Sequence, residues 1–180
     1  MNKYGIKIRA DKCSFAHQST EYLGFIIDKH GSRPTHKYKS KILNVPQPKT
    51  KKQLQRFLGM INYLHKYIPS LQLQLKPLYH LTENKVRWNW TDECNQIFES
   101  IKSQISNAEL LVHPDFNKPF EVYCDASEYG IGCVLAQRHE GVIKPVQFCS
   151  NYLVKHNKIG IFQNKKYMLS YTQWRNGDHT

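Results

Sequence analysis

The spacing of apolar residues changes at Pro119, and this change limits the folds open to the chain. Between residues 50 and 106 apolar side chains recur every three or four positions, the spacing typical of amphipathic helices. From Phe120 they alternate with polar side chains, as they do in strands. The sequence therefore predicts a mixed α+β fold in which helical and sheet segments are separated along the chain.

The clearest helix begins near Thr50, where Gln53 three residues later fits a capping box, and Pro69 is expected to end it. Its predicted apolar face consists of Leu54, Phe57, Leu58, Ile61, Leu64 and Ile68. A second stripe of residues spaced by four lies beside that face: Gln55, Gly59 and Tyr63. A glycine inside a helix costs about 1 kcal/mol relative to alanine. Gly59 therefore indicates close approach by either another helix or a ligand.

Shorter elements are predicted on both sides of this helix. Strands are expected over Cys13–Phe15 and Glu21–Ile27, with a hairpin over Tyr22–Pro34. Further helices are expected over Lys37–Val45, over Lys76–Leu81 and after Thr91, where Cys94, Ile97, Phe98, Ile101 and Ile105 form a buried face. Three strands over residues 120–125, 131–137 and 142–150 predict an antiparallel meander.

The chain of 180 residues carries a formal charge of +12, and this charge is unevenly placed. Residues 1–56 hold 13 basic and 3 acidic side chains, whereas residues 57–149 hold 8 and 10. Such a local basic field concentrates nucleic acid, although a merely solvated surface has the same composition. A membrane-surface helix is disfavoured, because glycine and prolines interrupt the basic stretch between Lys29 and Lys52.

Other classes of protein have little support in the sequence. No apolar run approaches 18 residues, so no transmembrane helix is expected, and the first 12 residues lack the apolar core of a signal peptide. The 5 cysteines are scattered and form no CxxC pair, which argues against a zinc site or a disulfide framework. We therefore expect an intracellular protein, in the cytoplasm or nucleus, that is not secreted.

Motifs in four stretches of the chain carry a family resemblance. They are Lys12-Cys-Ser-Phe15 with Tyr22-Leu-Gly-Phe25; Pro46-Gln-Pro-Lys-Thr50 with Arg56-Phe-Leu-Gly59; Trp88-Asn-Trp-Thr91; and Cys124-Asp-Ala-Ser127 with Tyr129-Gly-Ile-Gly132. In this order they resemble the pol polyprotein of gypsy-class long-terminal-repeat retrotransposons, and more distantly that of retroviruses.

The resemblance implies a domain order and a fragment of a longer protein. Residues 1–45 would be the end of the reverse transcriptase palm with its primer-grip hairpin. Residues 46–113 would be the helical thumb and connection, and residues 114–153 the first part of an RNase H-like domain with an incomplete meander. Residues 154–180 have no clear pattern. Departure from the family pattern after about Asn151 indicates truncation, a frameshift or a decayed copy.

The resemblance also implies roles for particular residues. Leu23 and Gly24 would belong to the primer grip, which positions the 3′ end of the growing strand. The stripe of Gln55, Gly59 and Tyr63 would face the minor groove of an RNA/DNA hybrid or duplex. The neighbouring cations Lys51, Lys52 and Arg56 would contact phosphates. The rest of the pol polyprotein would be a partner in cis.

Neither catalytic site of the family is complete in the sequence. Polymerisation needs two metal ions held by paired aspartates, and no adjacent acidic pair precedes Asp92-Glu93, which heads a helix; the catalytic palm would lie upstream of Met1. Asp125 matches the first RNase H carboxylate and would be a catalytic metal ligand, although it could be only a turn residue at a strand end. No acidic residue stands between Glu140 and Asp178, so the Mg²⁺ of the intact family is not expected to bind tightly.

We therefore expect a protein that keeps the template–primer binding elements of an RNA-directed DNA polymerase and ribonuclease H but is inactive by itself. Two alternatives stay open at this point: a domesticated basic nucleic-acid-binding module, and a non-functional relic that does not fold stably.

Overall fold

A computed structural model describes Arg9, Cys13 and residues 15–108, 110–127 and 130–152 of the chain. Strands β1 to β3 are Ser19–Tyr22, Phe25–Asp28 and Gly31–Pro34, and strands β4 to β6 are Glu121–Ala126, Gly130–His139 and Val142–Tyr152. The helices are α1 His36–Leu43, α2 Lys51–Asn62, α3 Leu71–Thr82 and α4 Asp92–Ser106, with a 3₁₀ helix over His65–Tyr67. None of these helices combines the length and the apolar character needed to cross a membrane.

The first sheet is an antiparallel ribbon in the order β1-β2-β3. The predicted hairpin is confirmed from Phe25 to Pro34, which lie opposite each other in β2 and β3, whereas Tyr22 belongs to β1. The single strand expected over Glu21–Ile27 was wrong, because Leu23 and Gly24 adopt positive φ angles of 49° and 80° and form a tight turn. Two such residues in succession match the twist of the flanking strands, which are therefore joined as a second hairpin. The strand expected over Cys13–Phe15 was also wrong, since neither Cys13 nor Phe15 is in a strand; Ser14 lies outside the described residues.

The turn between β2 and β3 is closed by Asp28. Its carboxylate accepts hydrogen bonds from the backbone N–H groups of His30 at 2.8 Å and Gly31 at 3.2 Å, and from the Arg33 guanidinium at 2.6 Å. The bond from Arg33 and then the backbone bond from His30 hold the pKa of Asp28 below its ordinary value of 3.8. The ionised carboxylate of Asp28 thus stabilises this hairpin.

Helix α2 begins as predicted but ends early. The Thr50 hydroxyl accepts a hydrogen bond from the backbone N–H of Gln53 at 3.3 Å, while the Gln53 side chain accepts one from Lys49 N–H at 2.7 Å. The helix stops at Asn62 rather than at Pro69, and the 3₁₀ helix follows. All six residues of the predicted apolar face are nevertheless buried: Leu54, Phe57, Leu58, Ile61, Leu64 and Ile68.

The core of the protein lies between the helices and reaches the second sheet. The rings of Phe57 in α2 and Phe98 in α4 have centroids 4.5 Å apart, and both residues are buried. Helix α3 begins five residues before its predicted start, at Leu71, and its buried leucines join the same core. From the second sheet, Val134 and Phe148 complete it. The helical part and the meander therefore share one core.

The second sheet is the predicted meander, in the order β4-β5-β6, and two glycines let α3 lie against it. A Cβ atom at Gly132 would stand 2.3 Å from the Ser70 hydroxyl, and one at Gly130 would stand 2.1 Å from Leu73. The backbone N–H of Gln72 in α3 donates to the Ser150 hydroxyl of β6 at 3.0 Å. This close contact needs glycines, because a side chain at position 130 or 132 would push the helix away.

Candidate nucleic-acid interface

The exposed face of α2 carries the predicted groove-facing stripe. Gln55 and Gly59 are exposed, and Tyr63, directly after the helix, has 41% of its surface exposed. A Cβ atom added at Gly59 would have nothing within 4 Å. Packing against another helix therefore does not explain this glycine in the described part of the chain. Its backbone is open to an external partner instead.

Tyr63 joins the end of α2 to the tip of the β1–β2 hairpin. Its ring stacks on Phe25 with centroids 5.1 Å apart and lies 5.2 Å from the ring of Tyr38. Its hydroxyl donates to the carbonyl oxygen of Leu23 at 2.6 Å. The structure thus brings together residues 40 positions apart that the sequence assigned to separate elements. The hydroxyl oxygen keeps its capacity to accept a hydrogen bond from a ligand.

The Leu23-Gly24 turn is fixed in place but leaves apolar side chains in solvent. The backbone N–H of Thr35 donates to the Gly24 carbonyl at 2.9 Å, so the turn is held from both sides. Leu23 and Tyr22 are 67% and 62% exposed. Exposed apolar groups at a firmly held loop tip are typical of contact surfaces. An open groove runs from this turn to Tyr63 and α1.

The sequence did not single out the residues of α1 that line this groove. Lys37 and Lys41 lie on it and are exposed, whereas Lys39 donates to the carbonyl oxygens of Ser106 and Ala108. Burial lowers the pKa of Lys39, in keeping with a structural role. The sequence pattern that could have identified these residues is a lysine at every second position of a short helix. Alternate positions lie on different sides of a helix, so not all three lysines can pack against the protein.

Tyr38, between these lysines, supports the groove from below. Burial raises the pKa of its hydroxyl, and the neighbouring Tyr63 adds to the shift. The Tyr38 hydroxyl donates to the Met60 carbonyl in α2 at 3.2 Å. Helices α1 and α2 are thereby fixed to each other beneath the open groove.

The predicted phosphate contacts differ in their surroundings. The ammonium group of Lys51 lies 2.5 Å from the carbonyl oxygens of both Glu83 and Val86, so it closes the loop after α3. Since the donors of Lys51 are directed at these backbone oxygens, a phosphate would have to compete with them, and the phosphate contact of Lys51 stays a prediction. Lys52 and Arg56 are exposed on the same side of α2 as Gln55 and Gly59. Their phosphate contacts stay a prediction.

Asp125 stands on β4, the outer strand of the sheet in the described part of the chain, opposite Gly132, and is exposed. It borders a small crevice that Pro69 and Ser70 also line. Within the described ranges no cluster of three or more histidine, cysteine or carboxylate side chains could hold a metal ion. A single carboxylate does not fit a site for two divalent ions, which needs several oxygen ligands. The segment where the second carboxylate was sought lies outside the described residues.

Comparison with known proteins shows which proteins this chain is similar to. Residues 90–168 match the RNase H-like domain found in reverse transcriptase. The transposon Tf2-3 and Tf2-4 polyproteins of Schizosaccharomyces pombe are each 37% identical over 133 residues, which is 74% of this chain and 10% of theirs. The chain therefore spans about a tenth of the length of these relatives.

Solved structures give the same assignment. The foamy viral protease–reverse transcriptase in complex with dsDNA aligns with a TM-score of 0.67 and 29% identity over 79% of this chain and 30% of its own. Its complex with RNA/DNA hybrid aligns with a TM-score of 0.65 and 29% identity over 79% of this chain and 19% of its own. The fold is thus that of a reverse transcriptase and RNase H region.

The sequence relatives define this similarity more closely. Residues 90–168 carry an RNase H-like domain of the kind found in reverse transcriptase, and over 74% of its length the chain is similar to one part of the Tf2 transposon polyproteins.

Proposed function

We propose that this part of the polyprotein binds the template–primer duplex along the exposed face of α2 and the adjoining Leu23-Gly24 turn. The observation that carries the proposal is the open backbone at Gly59, between exposed Gln55 and Tyr63. A glycine that weakens a helix without serving internal packing indicates a ligand that comes close to the backbone.

The side chains on this surface, and its continuity with the hairpin tip, support a double-helical ligand. Gln55 offers an amide that can donate to and accept from base or sugar edges, and Tyr63 offers a flat ring beside its hydroxyl. Because the Tyr63 hydroxyl also holds the Leu23 carbonyl, the helix face and the hairpin tip form one continuous surface. We propose that the tip meets the primer end while the helix follows the minor groove.

The charges around this surface support a polyanionic ligand. Lys52 and Arg56 flank the stripe on α2, and Lys37 and Lys41 flank the groove on α1. Each phosphate that such a cation neutralises steepens the salt dependence of duplex DNA binding by roughly 0.9 log units. Partial contact by these four cations would therefore make affinity fall strongly between low and physiological salt.

We also propose that the 180 residues bind a hybrid without cutting it or extending it. Asp125 would be the first carboxylate of the RNase H site, and Mg²⁺ would not bind tightly to that single ligand. We propose the same domain boundaries that the sequence predicts. The end of the palm extends to residue 45, the thumb and connection extend to residue 113, and the RNase H-like strands follow from residue 114. The rest of the polyprotein would supply the other catalytic groups in cis.

The test is a binding titration with a fluorescent RNA/DNA hybrid at several salt concentrations, followed by incubation with Mg²⁺ and gel analysis. We expect salt-dependent binding that weakens in a Gln55→Ala variant, with the nucleic acid left intact. A Gln96→Ala variant in α4 is the matched control, since Gln96 is an exposed helical glutamine away from the proposed surface. Equal weakening by both variants would contradict the proposed surface, and cleavage of the hybrid by the purified chain would contradict the proposed inactivity.

A further inference from the structure

Three of the five cysteines lie in one row across the second sheet. Cys124 of β4 is opposite Cys133 of β5, and Cys133 is opposite Cys149 of β6. Side chains alternate between the two faces of a strand, so all three lie on the face opposite Val134 and Phe148. Cys149 is exposed and the other two are half-buried. The row therefore lies on the outer side of the sheet, away from the shared core.

The first two thiols of this row are close enough to react. The Sγ atoms of Cys124 and Cys133 are 2.7 Å apart. Residues directly opposite in an antiparallel pair have Cα atoms about 4.5 or 5.5 Å apart, and both distances lie within the range of about 4.4–6.8 Å that disulfides use. A bond between these two sulfur atoms therefore needs only a small side-chain adjustment.

The third cysteine, Cys149, is next to Cys133 but not to Cys124. It could therefore take the place of Cys124 as the partner of Cys133, but it cannot pair with Cys124. Cys124 and Cys149 are two strands apart, which places their Cα atoms roughly 10 Å from each other, too far for a disulfide. Cys133 is thus the shared middle thiol of the row.

We propose that Cys124, Cys133 and Cys149 form a thiol-modification site at which a small disulfide such as oxidised glutathione converts Cys124 and Cys133 into a disulfide that joins β4 to β5. This inference does not rest on nucleic-acid binding. Because Asp125 directly follows Cys124, the bond would also fix β4, the strand that carries this carboxylate.

The exchange balances in two steps. The Cys124 thiolate attacks one sulfur of oxidised glutathione, a mixed disulfide forms, and one glutathione leaves as its thiolate. The Cys133 thiolate then attacks Cys124 Sγ, the protein disulfide forms, and the second glutathione leaves. Two cysteines are oxidised, one glutathione disulfide is reduced to two glutathiones, and the two protons from the cysteines end on them.

The order of attack follows from the surroundings of the middle thiol. Burial, and then the neighbouring Cys124 and Cys149, raise the pKa of Cys133. Its thiol therefore stays protonated to higher pH than an ordinary thiol, which favours a role for Cys133 in resolving the mixed disulfide.

The test treats the full chain with oxidised glutathione, blocks the remaining thiols and maps the peptides by mass spectrometry. Cleavage after Glu128 separates Cys124 from Cys133, so that only a disulfide keeps the two peptides together. We expect this linked pair to predominate, Cys94 to be blocked as a free thiol, and reduced glutathione to reverse the linkage. A Cys133→Ser variant should lose the linked peptides, and a Cys149→Ser variant should keep them.

Oxidation of the unfolded chain in urea is the control for proximity, since all five thiols are then accessible. The proposal is overturned if the Cys124–Cys133 pair is no more frequent in the folded chain than in urea. It is equally overturned if glutathione stays attached to Cys149 alone, or if Cys124 still forms an intramolecular disulfide in the Cys133→Ser variant.

Discussion

Replacement of Gly59 by alanine should affect stability and binding in opposite directions. In the free protein the new methyl group meets nothing within 4 Å, so the substitution removes only the cost of a glycine inside a helix. That cost is about 0.5–1 kcal/mol, so the free energy of unfolding should rise by this amount. For a chain of this length, 1 kcal/mol shifts the melting temperature by about 2–4 °C, so the gain should raise the melting temperature by about 1–4 °C.

Binding should weaken because the same methyl group occupies the space that the nucleic acid would use. A sugar or base edge in van der Waals contact with the helix backbone at Gly59 would be displaced by a Cβ atom. We expect the affinity for an RNA/DNA hybrid to fall on the order of tenfold, which corresponds to about 1.4 kcal/mol. Thermal denaturation followed by circular dichroism and hybrid titration by fluorescence anisotropy measure the two effects.

An Asn95→Ala variant is the matched control. Asn95 is exposed in α4, so alanine should stabilise its helix by up to about 0.7 kcal/mol without touching the proposed surface. If Gly59→Ala is more stable and binds as tightly as the parent chain, Gly59 does not face the nucleic acid. If it is less stable, the helix face is not open.

Three further predictions concern neighbouring features of the fold. Lys52→Met should reduce the slope of log affinity against log salt by about 0.9, whereas Lys51→Met should lower the melting temperature and leave the slope unchanged; equal slopes in both variants would contradict this division. Gly132→Ala should destabilise the chain by about 1–3 kcal/mol in urea denaturation, because the methyl group meets Ser70, and a neutral effect would refute the close contact. The lowered pKa of Asp28 implies stability that is present above its ordinary value of 3.8 and lost as the pH falls through the lower folded value. Asp28→Asn should therefore flatten the acid limb of stability against pH, and an unchanged acid limb would contradict that role.

The sequence alone determined the features that depend on near neighbours along the chain. The buried face of α2 follows from helical spacing, its start follows from Thr50, and the meander follows from alternation. Each of these signals spans only a few residues, and the burial of a regular face decides the outcome. The early end of α2 and the turn at Leu23-Gly24 were not predicted, because the backbone at both places departs from the regular geometry of helices and strands.

The candidate surface was predicted residue by residue, but its assembly was not. Gln55 and Gly59 were assigned to one face of a helix, and that face is exposed. The sequence could not predict the hydrogen bond from Tyr63 to the Leu23 carbonyl, because the two residues are 40 positions apart and share no local pattern.

Only the tertiary structure decided which of two adjacent lysines is free. Lys51 and Lys52 are chemically identical in the sequence, yet one closes the loop after α3 and the other is exposed. The same holds for the three cysteines that meet across the second sheet. Local spacing fixes which way a side chain points from its own element. The partner it meets there depends on how the elements pack, and the burial of the shared core sets that packing.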